Sequence, residues 1–533
     1  MAFFKQVESN LQPSSVQTPL LRLQFMKMRN LAALLIALLA IPDPRFPARG
    51  DEFRGLWVDA WGTGFLNASQ VTTLVNQCRT YRFNAVIVQM RRRGDAFYFP
   101  EAPNGDPRTT AISSSYDALQ ELINKCHTGS PRIEVHCWVP THLIWSNAAN
   151  PPPQPGHVYN LHPEYLMKNS AGATQIGGSF FIDPGHPEVT AWNYNMAVDI
   201  VSRYDIDGFH WDYIRYPTTN SGYNETAIAR YNAEFELSGQ PSYTDPQFST
   251  WRRRQVTDFL RWVNADLLAI KPNLIISAAV FASRSDAYNA RFQDWAAWND
   301  EGIIDICFPM NYTSNNSTYN SRVNDCYNNQ GIRWVYMGQA AYLNTRANTV
   351  TQLLYARYKP LNGVSFYNYR VPNSGTVDRI GTFTYVRDNF QPTWQYPPAL
   401  PWKTAPTAGI VKGTITREDT GEVLYNASIS IDTAPETTQL SEVHGKYAFF
   451  EVPEASYTVT ATAPGYDTVQ SDVTVTPGGV VTVDLSLPVA PAPTEVIVDN
   501  ASPAAGPLAR VRPTRRGPTI VPRATAHAAA ASR

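Results

Sequence analysis

The sequence predicts an α/β fold, a (β/α)8 TIM barrel followed by a small all-β sandwich. Three observations predict it. Between Arg54 and Asp388, short β-rich runs alternate eight times with segments of helical spacing, the pattern of parallel strands joined by crossover helices. No G-x-G-x-x-G or G-x-x-x-x-G-K-[ST] follows the first strand, which argues against a doubly wound nucleotide-binding sheet. Beyond residue 408 helical spacing gives way to alternating runs rich in Val, Thr, Ile and Tyr.

The predicted barrel strands run, in order, near Gly55–Asp59, Ala85–Met90, Ile133–Trp138, Gly208–Trp211, Leu274–Ala278, Ile304–Phe308, Trp334–Met337 and Gly363–Phe366. Helical spacing follows each, near Ser69–Tyr81, Asp117–His127, Pro187–Tyr204, Trp251–Ile270, Gln293–Glu301, Tyr319–Asn328, Val350–Lys359 and Val377–Asn389. The barrel is assigned to residues 51–390. Residues 391–408, which open QPTWQYPPALPWKTAP, read as a Pro-rich linker. Residues 409–488 carry the runs IVKGTIT, ASISI, KYAFF, YTVTATA and VVTVDLSL between turn residues and read as a β-sandwich. Residues 489–533 are Pro/Ala-rich with a basic stretch and read as a disordered tail.

At the other end, residues 1–50 are an N-terminal extension. Lys27 and Arg29 precede LAALLIALLAI (31–41), too short to span a bilayer that needs roughly 20 residues. Charge followed by a short apolar core fits a signal peptide near residues 26–48, with Met26 or Met28 as the functional start. An exported protein, secreted or in the cell envelope, is the expectation, with no stable membrane span in the mature chain.

Composition narrows function. Lys+Arg total 44 against 45 Asp+Glu, so no bulk positive charge draws the chain to nucleic acid. Aromatic residues reach 12%, with 13 Trp and 28 Tyr, a supply of flat faces suited to sugar rings. Five Cys in 533 residues do not make a disulfide scaffold. Cys126-His127 and His136-Cys137 match no zinc spacing, and neither metal nor cofactor is expected.

In an eight-stranded α/β barrel the working residues stand at the C-terminal ends of the strands. Those positions hold Trp57 and Asp59, Gln89 and Arg91, Asp95, Trp138, Asp212, Tyr213 and Arg215, Asn311 and Tyr312, and Tyr367. Aromatic rings would stack on sugars while amides and charges hold hydroxyls, so the partner expected is a polysaccharide. The densest motif is DIDGFHWDYIRYP (205–217). Asp212 falls where its strand meets the rim, and an Asp among aromatics can serve as a general acid. Asp207 precedes the strand and is expected to be structural. Glycoside hydrolysis ordinarily needs a second carboxyl. Asp95 and Asp59 are the candidates; an acetamido group on the substrate is the alternative nucleophile.

The segments RGLWVDAW, FNAVIVQMRRRGDAFY, IEVHCWVP, YDIDGFHWDYIRYP, WRRRQVTDFL, FQDWAAW and IDICFPMNYT, in this order and spacing, resemble the glycosyl-hydrolase-like family 10 of secreted TIM barrels. The resemblance implies a polysaccharide-cleaving barrel working in or outside the cell envelope, on a polymer such as the amino-sugar glycan of peptidoglycan. Some members carry two adjacent Asp on the fourth strand, whereas here the second is Tyr213. IDGFHWD also resembles the catalytic strand of family 18 chitinases, but Ile214 stands near the place of their Glu. GIVKGTI, DTGEVLYNASI, HGKYAFFEVP and YTVTATAPGYD resemble carboxypeptidase regulatory-like domains. The reading is an exported glycoside hydrolase with Asp212 as principal catalytic carboxyl; a non-catalytic glycan-binding barrel is the alternative. Neither reading fixes the oligomeric state.

Overall fold

The computed structural model describes residues 51–491 apart from 103, 104, 148 and 360, so the expected signal segment and nearly all of the C-terminal tail lie outside the described residues. Eight parallel strands close on themselves: β1 (Phe53–Val58), β2 (Ala85–Gln89), β3 (Glu134–Pro140), β4 (Gly208–Asp212), β5 (Ile275–Phe281), β6 (Ile306–Asn311), β7 (Met337–Ala340) and β8 (Gly363–Tyr367), with β8 pairing back onto β1. A short run, Trp334–Val335, leads into β7 and pairs with β6.

Successive side chains of a strand point to opposite faces. In β1, Phe53 and Trp57 therefore fill the barrel interior while Leu56 and Val58 enter the layer under the helices. Both faces are covered, so the strands read as nearly continuous apolar runs. The interior column continues through Ile87, Trp138, Phe308 and Tyr336.

Helices Ala68–Tyr81, Ala118–Thr128 and Pro187–Arg203 start where Asn67, Asp117 and His186 accept from a backbone N–H of the first turn. The helix expected from Trp251 begins at Pro246, capped by Asp245, and runs to Ile270. Helices Glu225–Glu234 and Arg284–Ala290 were not foreseen in the sequence, nor was the antiparallel sheet Leu143–Trp145, Gln175–Ile176 and Ser179–Phe181 that rises after β3. Strands of two or three residues carry no readable period. No helix among the described residues is long and apolar enough to cross a membrane.

The sandwich has strands β9 (Ala408–Arg417), β10 (Ser428–Ile431), β11 (Thr437–Leu440), β12 (Lys446–Pro453), β13 (Ala455–Thr462), β14 (Val469–Val475), β15 (Val480–Thr482) and β16 (Leu485–Leu487). One sheet runs β12-β9-β15 with β16 also on β9; the other runs β11-β10-β13-β14. Val411, Ile415, Ile429, Phe449 and Val459 are among the residues that fill the space between them.

The Pro-rich connection closes the base of the barrel. Leu400 joins the interior cluster, and Trp402 packs on Trp334 with ring centroids 5.2 Å apart while its Nε1 donates to Asp305 at 2.6 Å. The sandwich lies along helix Pro246–Ile270 through Lys412–Asp266 at 3.0 Å and a triangle of Arg254, Glu234 and Tyr425.

Candidate functional site

The inward alternation of the strands, carried one residue further, sets the ring of side chains at the C-terminal mouth. Asp59, Asp212, Phe281, Tyr312 and Tyr367 all fall on it. Asp212 ends β4 with 4% exposure. Its Oδ2 accepts from Trp138 Nε1 at 3.0 Å. Its Oδ1 accepts from the Tyr213 N–H at 2.6 Å and from Arg215 at 3.2 Å. These donors fix the plane of the carboxyl.

Tyr213 stands in the left-handed region at φ 49°, a conformation that costs a non-glycine residue roughly 1–2 kcal/mol. The turn aims its own N–H at Asp212. His142 holds the turn by donating from Nδ1 to the Tyr213 carbonyl at 3.1 Å. Burial pushes the His142 imidazole down to about 3, so it does this as a neutral ring. The Arg215 guanidinium lies 4.2 Å over the Tyr213 ring and 5.2 Å over Phe281.

Beneath the mouth is an aromatic floor. Trp57 and Trp138 meet edge-to-face at 4.9 Å, and Tyr367 packs on Trp57 at 5.8 Å and on Trp138 at 6.3 Å. Tyr312 stacks on Tyr367 at 5.1 Å, with Tyr342 within 6.1 Å of both. Trp57 and Trp138 are buried, so they form the floor rather than the rim. Tyr213, Tyr312, Tyr342 and Tyr367 are half-buried and form the part that a ligand can touch. Burial, then Asp59 and Asp212, push the Tyr367 hydroxyl upward, so it remains a neutral donor.

Both carboxyls approach that tyrosine through its neighbours: Asp212 through Trp138, whose ring packs on Tyr367, and Asp59 through Asn368, the next residue in the chain. Asp59 accepts from Asn368 Nδ2 at 2.6 Å, from Arg370 Nε at 2.8 Å and from the Trp61 N–H at 3.0 Å.

Four expected site residues serve as braces instead. Asp95 is 2% exposed and holds its own loop: Arg92 at 2.9 Å, Thr109 Oγ1 at 2.8 Å and the Arg93 N–H at 3.2 Å. Arg91 is fully buried, bound to both oxygens of Asp106 and to the Pro140 and Thr141 carbonyls at 2.8 and 2.6 Å, so no edge is left for substrate. Asn311 is equally buried and donates to the Tyr319 carbonyl at 2.9 Å, on the helix side of its strand. Gln89 accepts from the Ala60 N–H at 3.0 Å and supports the β1 turn. Asp207 bonds His127 at 2.8 Å and Arg132 at 2.6 Å at the opposite end of β4, the structural place expected of it. Tyr342 and Arg370 were not foreseen. Tyr342 sits just past a strand only four residues long, and Arg370 is recognisable only through Asp59, some 310 residues away.

A family model described as glycosyl hydrolase-like 10 matches residues 52–345, and one described as carboxypeptidase regulatory-like domain matches residues 410–488. The curated protein "Glycosyl hydrolase DigH" of Escherichia coli (strain K12) is 25% identical over 258 residues, 43% of this chain and 54% of that protein. "Glycosyl hydrolase YngK" of Bacillus subtilis (strain 168) is 25% identical over 351 residues, 59% of this chain and 66% of that protein. The chain thus spans about half to two thirds of the length of these relatives. Among solved structures, the PgaB (BpsB) glycoside hydrolase domain from Bordetella bronchiseptica aligns with TM-score 0.49 and 13% identity, covering 64% of this chain and 99% of that one.

Proposed function

The chain belongs to the glycosyl hydrolase-like 10 family, and from that premise we propose that its barrel cleaves O-glycosidic bonds in a polysaccharide, with Asp212 as the general acid and Asp59 as the second carboxyl. The substrates we have in view are envelope or extracellular polymers, amino-sugar glycans such as that of peptidoglycan included. The reading is supported above all by Asp212, held by Trp138, and Asp59, held by Asn368 beside Tyr367, at a mouth with a Trp57–Trp138 floor and half-exposed tyrosines.

In this mechanism a sugar ring stacks on the tyrosine face. Asp212, its plane set by Trp138 and the Tyr213 N–H, takes a proton from water in place of its bond from Arg215 and passes it to the leaving oxygen. Asp59, oriented by Asn368 and Arg370, meets the developing positive charge at the anomeric carbon, directly or through water. Export through the segment near residues 26–48 would bring the barrel to such polymers; N-terminal sequencing of the mature protein tests that part.

The deciding experiment is product release from polysaccharide by the native protein and by Asp212→Asn. Asparagine keeps the shape and loses the transferable proton, so turnover should fall by about 10²–10⁴-fold. Near-normal release by Asp212→Asn overturns the assignment. Glycan bound by the native protein without any product would support the binding-barrel reading instead.

A further inference from the structure

The charges at the barrel mouth do not balance. Arg92 pairs with Asp95 at 2.9 Å, Arg215 with Asp212 at 3.2 Å and Arg370 with Asp59 at 2.8 Å. Arg93 has no ion pair among the described residues. Its guanidinium lies between two indoles, 4.4 Å from the Trp61 ring centroid and 4.1 Å from that of Trp145. Its Nη1 donates to Ser146 Oγ at 2.7 Å, and its Nε is buried without a partner.

This arrangement is prebuilt. Arg93 is pinned at both ends of its peptide unit: its N–H donates to Asp95 at 3.2 Å and its carbonyl accepts from His157 Nε2 at 2.7 Å. Gly94 turns the chain at φ 74°, where a Cβ would come within 2.8 Å of His157 Nε2. Trp145 is fixed by its Nε1 donating to the Asn147 and Asn150 carbonyls at 2.8 and 2.9 Å. The three residues come from the segments after β1, β2 and β3, Trp145 as the last residue of the short strand Leu143–Trp145. The Trp61 N–H bonds Asp59, so the cluster adjoins the carboxyl pair.

Burial and the neighbouring Arg92 make the Arg93 charge costly to keep, and Asp95, already spent on Arg92, offsets that only in part. With two rings against its guanidinium and its Nε buried, Arg93 has its Nη end left for a ligand, and that end matches the planar fork of a carboxylate. Trp61 is 48% exposed and carries the Arg92 guanidinium as well, 4.8 Å from its ring centroid, so the cluster stands at the solvent edge of the mouth. We propose that Arg93, held between Trp61 and Trp145, is a subsite for a carboxylate carried by the glycan, so that the barrel selects acidic over neutral sugar chains. The inference rests on the glycan reading of the mouth and adds the charge of the substrate to it.

The test uses full-length protein carrying Asp212→Asn, which leaves bound glycan uncut. Affinity is measured for chitin hexasaccharide and its O-carboxymethyl ether, and for a hexagalacturonate and its carboxyl-reduced form. One pair presents the carboxylate on an ether arm, the other on the ring. At least one acidic probe should bind roughly tenfold or more tighter than its neutral twin, the scale of one charge-assisted hydrogen bond. Adding Arg93→Gln should erase that ratio and leave neutral affinity within about twofold; Arg93→Lys should keep part of it. Equal affinity for acidic and neutral twins overturns the proposal, and that comparison needs no variant at Arg93. So does a ratio that survives Arg93→Gln, or failure of both acidic probes to bind. The two readings separate: acidic preference without product release from native protein keeps the subsite and removes the hydrolase, whereas equal release from acidic and neutral chains does the reverse.

Discussion

At the seam with the sandwich, Arg254 reaches Glu234 at 2.6 Å, and Tyr425 donates to the same carboxylate at 2.6 Å. Arg261 holds both oxygens of Glu301 and also Asp258, and Gln439 of the sandwich donates to Glu301 at 3.3 Å. At the mouth, Arg215 and Arg370 likewise hold aspartates, yet Arg93 has no ion pair among the described residues and four tyrosines keep half-exposed faces. The two regions use the same residue types. What separates them is whether the protein itself supplies each cation with a carboxylate. At the seam Arg254 and Arg261 are paired internally and act as structure. The mouth leaves Arg93 open, and that is what a ligand can fill.

The contrast can be broken most forcefully by a pair of substitutions. Asp212→Asn should remove about 10²–10⁴-fold of turnover and leave the melting temperature near its native value. Arg261→Ala should do the opposite. It strands Glu301 without its cation and leaves Asp258 to Arg254 alone, 3.6 Å away, at a partly buried seam, a loss of about 3 kcal/mol, the low end for a broken buried pair. Thermal unfolding and turnover per folded molecule, measured on both, read the two effects. If Arg261→Ala cut turnover of the folded protein as deeply as Asp212→Asn, the seam would belong to the working site.

Asp95→Asn sharpens the comparison from within the mouth. Asp95 lies there by sequence but is spent on Arg92, Thr109 and the Arg93 N–H. It should behave as a seam residue: a stability loss of about 1–3 kcal/mol from unsatisfied buried partners, with hydrolysis retained. A loss of turnover as deep as that of Asp212→Asn, with unchanged stability, would return Asp95 to the catalytic pair in place of Asp59.

The sequence carried the barrel because eight strands buried on both faces leave eight apolar runs between amphipathic helices. Alternation along those runs also turned Trp57, Trp138 and Asp212 inward, where they are found. The same alternation, taken from Phe308, sends Asn311 outward, so its brace role was open to reading. Arg91 lies two residues beyond the end of β2, where the chain has left the strand and alternation stops governing direction. Choosing between Asp95 and Asp59 required Asn368 and Arg370, which come near only when β8 closes on β1. The seam was illegible for the same reason: His444 bonds Thr190, and Lys412 bonds Asp266, across gaps no local pattern spans.

The smallest expected effect is a slope with pH at the seam. Glu442 is 7% exposed and accepts from the His444 and Lys446 N–H groups at 2.8 and 3.2 Å. Burial pushes its carboxyl up to about 8, with Asp258 adding to the rise and Arg230 opposing it. In the unfolded chain it titrates near its ordinary 4.5. Between those values the folded protein holds a proton that the unfolded chain has released. Stability is therefore lost as pH rises toward 8, by at most about 1.4 kcal/mol per pH unit, and the loss levels off above it. His444 works in the other direction: burial lowers its imidazole, so its cost appears as pH falls below about 6.5. Between pH 7 and 8 the Glu442 slope is left largely alone. Denaturant unfolding across that interval should show stability falling in the native protein and a flatter profile in Glu442→Gln. Parallel slopes for the two proteins would mean that Glu442 is already ionised when folded, and that the seam tolerates a charge there as the mouth does at Asp59.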